Sequence, residues 1–155
     1  MLLATCQSEL DRLDVKQGRL LVAVSGGRDS MLLLDLLSRV AGPLDLALVA
    51  GHVDPGLRGA ESAEDAAFVR RSAERAGLPH AARSVSPEAE RAGTTSRDRP
   101  TLEEAARNLR RAALESIADE TGCRWIATAH HAADQAETVL LRLLRGTALD
   151  GLAGM

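Results

Sequence analysis

The chain has 155 residues, 45% apolar and 26% charged, the balance of one globular domain long enough to bury a core. Its net charge of −3 argues against an all-over basic nucleic-acid binder, and one Phe, one Trp and no Tyr argue against an aromatic platform for stacked bases. No apolar run reaches membrane-spanning length and the N-terminus carries acids where a secretory signal needs a basic start, so a cytoplasmic protein with no membrane partner is expected.

In chain order, Leu2 to Leu13 is expected as a helix and Leu20 to Val24, apolar and partly β-branched, as a strand buried on both faces. Ser25-Gly26-Gly27 is then a turn, and Leu32, Leu33, Leu36 and Leu37 stand at helical spacing within Met31–Leu37. Leu44–Ala50 reads as a second strand, and "GHVDPGLRG" after it as a loop. Glu61–Ala76 is an amphipathic helix stopped by Gly77 and Pro79. His80–Val85 is a weaker third strand, and "SPEAERAGTTSRDRP", residues 86–100, an irregular polar insertion. Thr101 with Glu104 three residues on forms a capping-box pattern for a helix running to about Glu120, stopped by Gly122. Arg124–Ala129 is a fourth strand and Ala132–Arg145 a last helix. Cys6 and Cys123 make no CxxC pair and no Cys/His cluster, which argues against structural zinc or an iron–sulfur centre.

Strictly alternating strands and helices predict an α/β fold: a parallel sheet with right-handed crossovers covering both faces, in three Rossmann-like layers. Ligands of such sheets sit at the carboxyl ends of the strands, near the switch in strand order. Ser25–Ser30, Gly51–Arg58 and Ala129–Gln135 leave those ends. In the first, backbone N–H groups of a Gly-rich turn opening a helix form an anion cradle, and Ser25 and Ser30 add hydroxyls. Asp29 beside bound phosphate implies Mg²⁺ between them. A tight turn in which Asp29 and Ser30 merely start a helix fits the same letters. Neither G-x-x-x-x-G-K-[ST] nor G-x-G-x-x-G is present. Asp134 and Glu137, three apart at a helix start, share a face; they suit an ammonium ion, or simply the helix dipole. His130 and His131 lack a third ligand and are read as phosphate or adenylate contacts rather than zinc ligands. Arg107 and Arg110 are placed on the helix face opposite Leu102, Ala106, Leu109 and Ala113, where a solvated charged face is the plain alternative.

"SGGRDS" at Ser25–Ser30 resembles the S-G-G-x-D-S pyrophosphate loop of the N-type ATP pyrophosphatases. "HVDPGLR" at His52–Arg58, "LEEAARNLRR" at Leu102–Arg111 and "TAHHAADQAETVLLRLLRGTALDGLAGM" at Thr128–Met155 resemble more narrowly the tRNA(Ile)-lysidine synthetases. Four ordered motifs carry this resemblance across essentially the whole chain. It implies an adenine nucleotide alpha hydrolase-like fold and a two-step ligase reaction. The O2 of the wobble cytidine in the CAU anticodon of tRNA(Ile) attacks the α-phosphate of ATP and expels pyrophosphate; the L-lysine amine then displaces AMP from C2. Carried over by motif, Ser25, Gly26, Gly27, Arg28, Asp29 and Ser30 contact ATP, with Asp29 the Mg²⁺ residue. His52, Asp54 and His130 complete the ATP site, Asp134, Glu137, Arg107 and Arg110 bind lysine, and Asp29, Arg110 and His131 are the catalytic set.

Pro55 stands where that family often has His, Ala133 where a further Asp is frequent, and Arg111 where an aromatic is usual. The resemblance also implies tRNA-binding domains beyond position 155, so the chain is expected to be the catalytic N-domain alone. The oligomeric state is left open, a dimer included. Rival expectations are another pyrophosphatase of this loop class, a thiolase or an amidating synthetase, and an ATP-binding module without activity of its own.

Overall fold

The computed structural model describes residues 2–56, 60–92 and 100–130. Four parallel strands, β1 (Gly18–Ala23), β2 (Leu46–Asp54), β3 (His80–Ser84) and β4 (Trp125–Ala127), form one sheet in the order β3-β2-β1-β4. The chain steps from β1 out to β2 and β3, then crosses back to lay β4 on the other side of β1. Strand order therefore reverses between β1 and β4, and the crevice above those two carboxyl ends is the natural ligand position.

Two apolar layers hold the sheet. Leu20, Val22, Leu48 and Ala50 pack on one face against α2 (Arg28–Val40) and α3 (Ala60–Arg75), with α1 (Leu2–Arg12) outside α2. Leu21, Val49 and Val53 pack on the other face against α5 (Leu102–Thr121). The alternation follows from the two-residue side-chain period of a strand. In α2 the buried positions Ser30, Leu34, Leu37 and Val40 recur at helical spacing, a stripe that begins with a serine. The α5 capping box forms as predicted: Glu104 N donates to Thr101 Oγ1 at 3.1 Å, and Thr101 N donates to Glu104 Oε2 at 2.8 Å. Gly122 closes the helix at φ 67°, a left-handed cap that glycine adopts without steric cost.

Beyond end shifts of a few residues, three features differ from expectation. β2 runs through Asp54, so "GHVD" is strand rather than loop. Its polar letters are overridden by pairing on both sides, from Ala50–Asp54 with β3 and up to Gly51 with β1. The 86–100 insertion contains a short helix, α4 (Pro87–Ala92), begun by proline at its first position, where the missing N–H is no loss. β4 is three residues long: Trp125–Ala127 pair with Leu20–Val22 of β1, and Arg124 N donates to Arg19 O at 2.9 Å just before it. The helix expected over Ala132–Arg145 lies outside the described residues.

Candidate functional site at the switch point

β1 ends at Ala23, and α2 begins five residues later at Arg28. Between them Gly26 takes φ 91°, a conformation closed to most L-residues, and Gly27 is extended. The turn is latched by Ser30, a residue only 6% exposed. Its hydroxyl donates to Gly27 O at 2.8 Å and accepts from Ser25 N at 3.2 Å. Ser25 Oγ lies 3.2 Å from the same hydroxyl and accepts from Gly27 N at 3.3 Å. Ser30 is thus an internal strut rather than the free donor the sequence suggested, while Ser25 sits at the exposed lip. Gly27 has no side chain to cap the helix, so the first-turn N–H groups of α2 face outward with the positive end of the helix dipole.

That turn forms one wall of a cleft of about 240 Å³, floored by Ala23, Gly51 and Val53. Arg110 and Leu114 of α5 line it too, as do Thr128, Ala129 and His130, which follow β4. Arg110 occupies a position the helical pattern misassigned. It lies four residues after Ala106 and three and four before Ala113 and Leu114, all buried, so it shares their stripe instead of opposing it. The stripe overhangs the carboxyl edge of the sheet, and at that height an arginine meets the cleft rather than the core. Arg107 does not line the cleft.

Arg28 and Asp29 both line the cleft beside the turn, exposed, with Arg28 Nε 3.9 Å from Asp29 Oδ1. His130 Nδ1 is 3.0 Å from Thr128 Oγ1, a contact that orients the imidazole. His52 is placed differently. Its neighbours Gly51 and Val53 face the cleft, so by strand alternation its ring lies under the opposite face, 3% exposed, with Nδ1 2.8 Å from Val24 O. Asp54 closes an Asx turn, its Oδ1 accepting from Gly56 N at 2.8 Å. His131, Asp134 and Glu137 lie outside the described residues.

Two residues at the site escaped the sequence reading. Asp65 of α3 packs over the turn, its Oδ1 3.4 Å from where a β-carbon on Gly26 would stand, which helps explain the glycine. Thr128 holds His130. Thr128 opens a motif already singled out and was passed over beside its histidines; Asp65 has no local signal, being one acid among several on an amphipathic helix that only the packing of α3 brings to the turn. His80 on β3 shares the buried side of His52. Burial, then His52 and Arg70, push its imidazole below the ordinary range, with Glu74 opposing. The Nε2 atoms of both rings are buried without a partner among the described residues.

Magnesium fits this edge. It binds through one or two carboxylates, substrate phosphates and water, and Asp29 offers an exposed carboxylate beside the glycine turn. Among the described residues no cluster of three or more His, Cys, Asp or Glu converges as a self-sufficient metal cage. No helix among them is long and apolar enough to cross a membrane.

Comparison with known proteins agrees with this architecture. The tRNA(Ile)-lysidine synthase of Geobacter sulfurreducens is 43% identical over 137 residues, covering 88% of this chain and 28% of that protein. That of Symbiobacterium thermophilum is 44% identical over 137 residues, covering 88% and 27%. The chain thus spans little more than a quarter of either relative. Among solved structures, the U34-tRNA thiolase NcsA from Methanococcus maripaludis superposes with a TM-score of 0.73 at 19% identity, over 98% of this chain and 53% of that one. An NH3-dependent NAD synthetase from Campylobacter jejuni gives 0.53 at 14% identity, over 97% and 72%. At those identities the two structures speak to the fold alone. The PP-loop domain family matches residues 2–155, and with a glycine turn opening a helix at the switch point of a parallel sheet, this chain belongs to the PP-loop family.

Proposed function

We propose that this chain is the ATP-pyrophosphatase part of a cytoplasmic tRNA(Ile)-lysidine synthetase. One observation carries the reading: the latched Ser25–Ser30 turn and Arg110 line one cleft, in a chain 43% identical over 137 residues to an enzyme of that name. The outward-facing N–H groups of the first turn of α2 take the phosphates of ATP, and Asp29 holds Mg²⁺ against them. That ion neutralises charge on the pyrophosphate when bound. Arg28 and Ser25 sit at the mouth beside the phosphates. Arg110, aimed across the cleft, opposes the negative charge that grows when the cytidine oxygen attacks the α-phosphate. His130, oriented by Thr128, contacts the adenylate with His131, and Asp54 borders the adenosine side. Asp134 and Glu137 hold the lysine ammonium, while Arg110, with Arg107 second, faces its carboxylate.

The thiolase alternative has less support. Cys6 packs with the core on the α2 and α3 face and Cys123 with that on the α5 face, so the sheet separates the two thiols.

ATP–pyrophosphate exchange tests the proposal, run on the protein with and without an anticodon stem-loop carrying CAU in its loop and with and without lysine. Exchange that needs the RNA and proceeds without lysine is expected; AMP release should need both. Exchange indifferent to the RNA would favour an amidating synthetase, and ATP binding without exchange would favour a binding module. Glu137→Gln should raise the lysine requirement and spare ATP binding.

A further inference from the structure

His52 does not reach the cleft, yet it is bonded to the residue on which the anion-facing turn is hung. Val24 is the first residue past β1. Its N–H donates to Gly51 O at 2.8 Å, the last rung of the β1–β2 ladder. A regular parallel ladder would next give Val24 O the N–H of Val53. Among the described residues Val24 O instead takes the His52 ring, at 2.8 Å. A carbonyl oxygen only accepts, so Nδ1 carries the proton and the ring is the Nδ1–H tautomer. The next bond along the chain is held as well, since Ser25 N donates to Ser30 Oγ at 3.2 Å. Val24 O and Ser25 N belong to one planar peptide unit. It is therefore gripped at both ends, by β2 through His52 and by α2 through Ser30. Its orientation sets the direction in which the chain enters Gly26 and Gly27.

We infer that His52 is a positioning residue that, with Ser30, fixes the Val24–Ser25 peptide plane and so pre-forms the anion-binding turn before nucleotide arrives. The inference rests on the reading that this turn takes the phosphates of ATP. Burial supports it: a ring 3% exposed, with one nitrogen committed to the main chain, is held in a single pose. A turn that must order itself on binding loses affinity to that ordering, and a pre-formed one does not.

Side-chain length provides the test. Asn places its amide nitrogen as many bonds from Cα as imidazole Nδ1, whereas Gln carries it one carbon farther and Leu has no donor. ATP affinity is measured by calorimetry with Mg²⁺, and amide exchange across residues 24–30 is followed without nucleotide. His52→Leu and His52→Gln should each weaken ATP binding about ten-fold, the order expected for one lost hydrogen bond, and speed exchange in that segment. His52→Asn should restore both to within about three-fold of the parent protein, a rescue that tracks the single hydrogen bond. The idea is overturned if Asn and Gln are equally impaired, or if Leu leaves both affinity and exchange unchanged. If Leu does not fold, the Asn–Gln contrast decides alone. If the parent protein binds no ATP, the nucleotide reading fails, and the exchange experiment still decides whether His52 pins the turn.

Discussion

Two strand-to-helix crossings leave the same edge of the sheet side by side, and they use their polar groups in opposite ways. After β2, Asp54 is bonded through both its side chain and its main chain: Oδ1 accepts the N–H of Gly56 at 2.8 Å, and its carbonyl accepts Val85 N, just past β3, at 2.8 Å. After β1 the side-chain bonding is concentrated on one buried serine hydroxyl, and the helix N–H groups behind it are left facing a cleft. Two glycines at positive φ serve both crossings, Gly26 in one and Gly56 in the other. Glycine content is therefore no guide to which turn leaves its helix N–H groups open. What distinguishes them is where the hydrogen bonds go.

The largest expected effect breaks the first crossing and spares the second. Gly26→Val puts a β-branched residue at φ 91° against Asp65. Strain of about 2 kcal/mol, relieved when the turn leaves its binding shape, weakens ATP binding roughly thirty-fold. Gly56→Ala, at φ 66° and with Val85 O 3.2 Å from the new carbon, should cost about 1 kcal/mol of stability and move ATP affinity far less. Calorimetry and urea unfolding of both variants separate the two effects; equal losses of affinity would erase the distinction.

Next is the latch. Ser30→Ala leaves Ser25 N without its partner, at about 1–3 kcal/mol, and ATP affinity should fall about ten-fold. Ser25→Ala, which removes an exposed hydroxyl, should do less to stability in the same urea titration. Across the cleft, Arg110→Ala should lower pyrophosphate exchange by about ten-fold or more, the scale of one lost charge-assisted bond. Arg107→Ala should stay within about two-fold, as for an ordinary surface charge. A larger loss at Arg107 would move the functional face of α5 by nearly a turn.

The smallest effect concerns the pair of rings beneath β2. His80 is held below the ordinary imidazole value of about 6.5. The unfolded chain then binds a proton that the fold refuses. Stability is whole above about pH 6.5 and falls as the pH drops from there toward the lowered folded value. Urea midpoints at neutral and mildly acidic pH should diverge in the parent protein and converge in His80→Gln. A parallel loss in both would assign the acid sensitivity to other groups.

Much of this was legible in the letters because the signals are local. An apolar run, then "SGG", then a leucine stripe dictates strand, turn and helix through period and backbone freedom. Thr101 with Glu104 dictates a helix start through two reciprocal hydrogen bonds that need no distant partner. Alternation of elements was enough for a parallel three-layer sheet, because right-handed crossovers leave few other solutions. Local signals also have a limit. "GHVD" looks like a loop to a propensity argument, and it becomes strand only because β1 and β3 flank it.

Tertiary structure decided the rest, and the reason throughout is that a side chain's role depends on which neighbour lies across from it. Arg110 fits a solvated face on a helical wheel and a substrate contact by its motif, and only the packing of α5 places it in the lining of the cleft. Ser30 reads as a free donor and proves to be the latch, because its hydroxyl is enclosed between Gly27 and Ser25. His52 reads as a nucleotide contact by its place in a motif. Strand alternation puts it on the far face, and a hydrogen bond 28 residues away in sequence gives it the main chain to hold. The sequence alone determined the order of the four strands and of the long helices between them, and the glycine turn that opens α2, because period and backbone freedom are local; which side chains face the cleft and which support it from behind was settled only by packing.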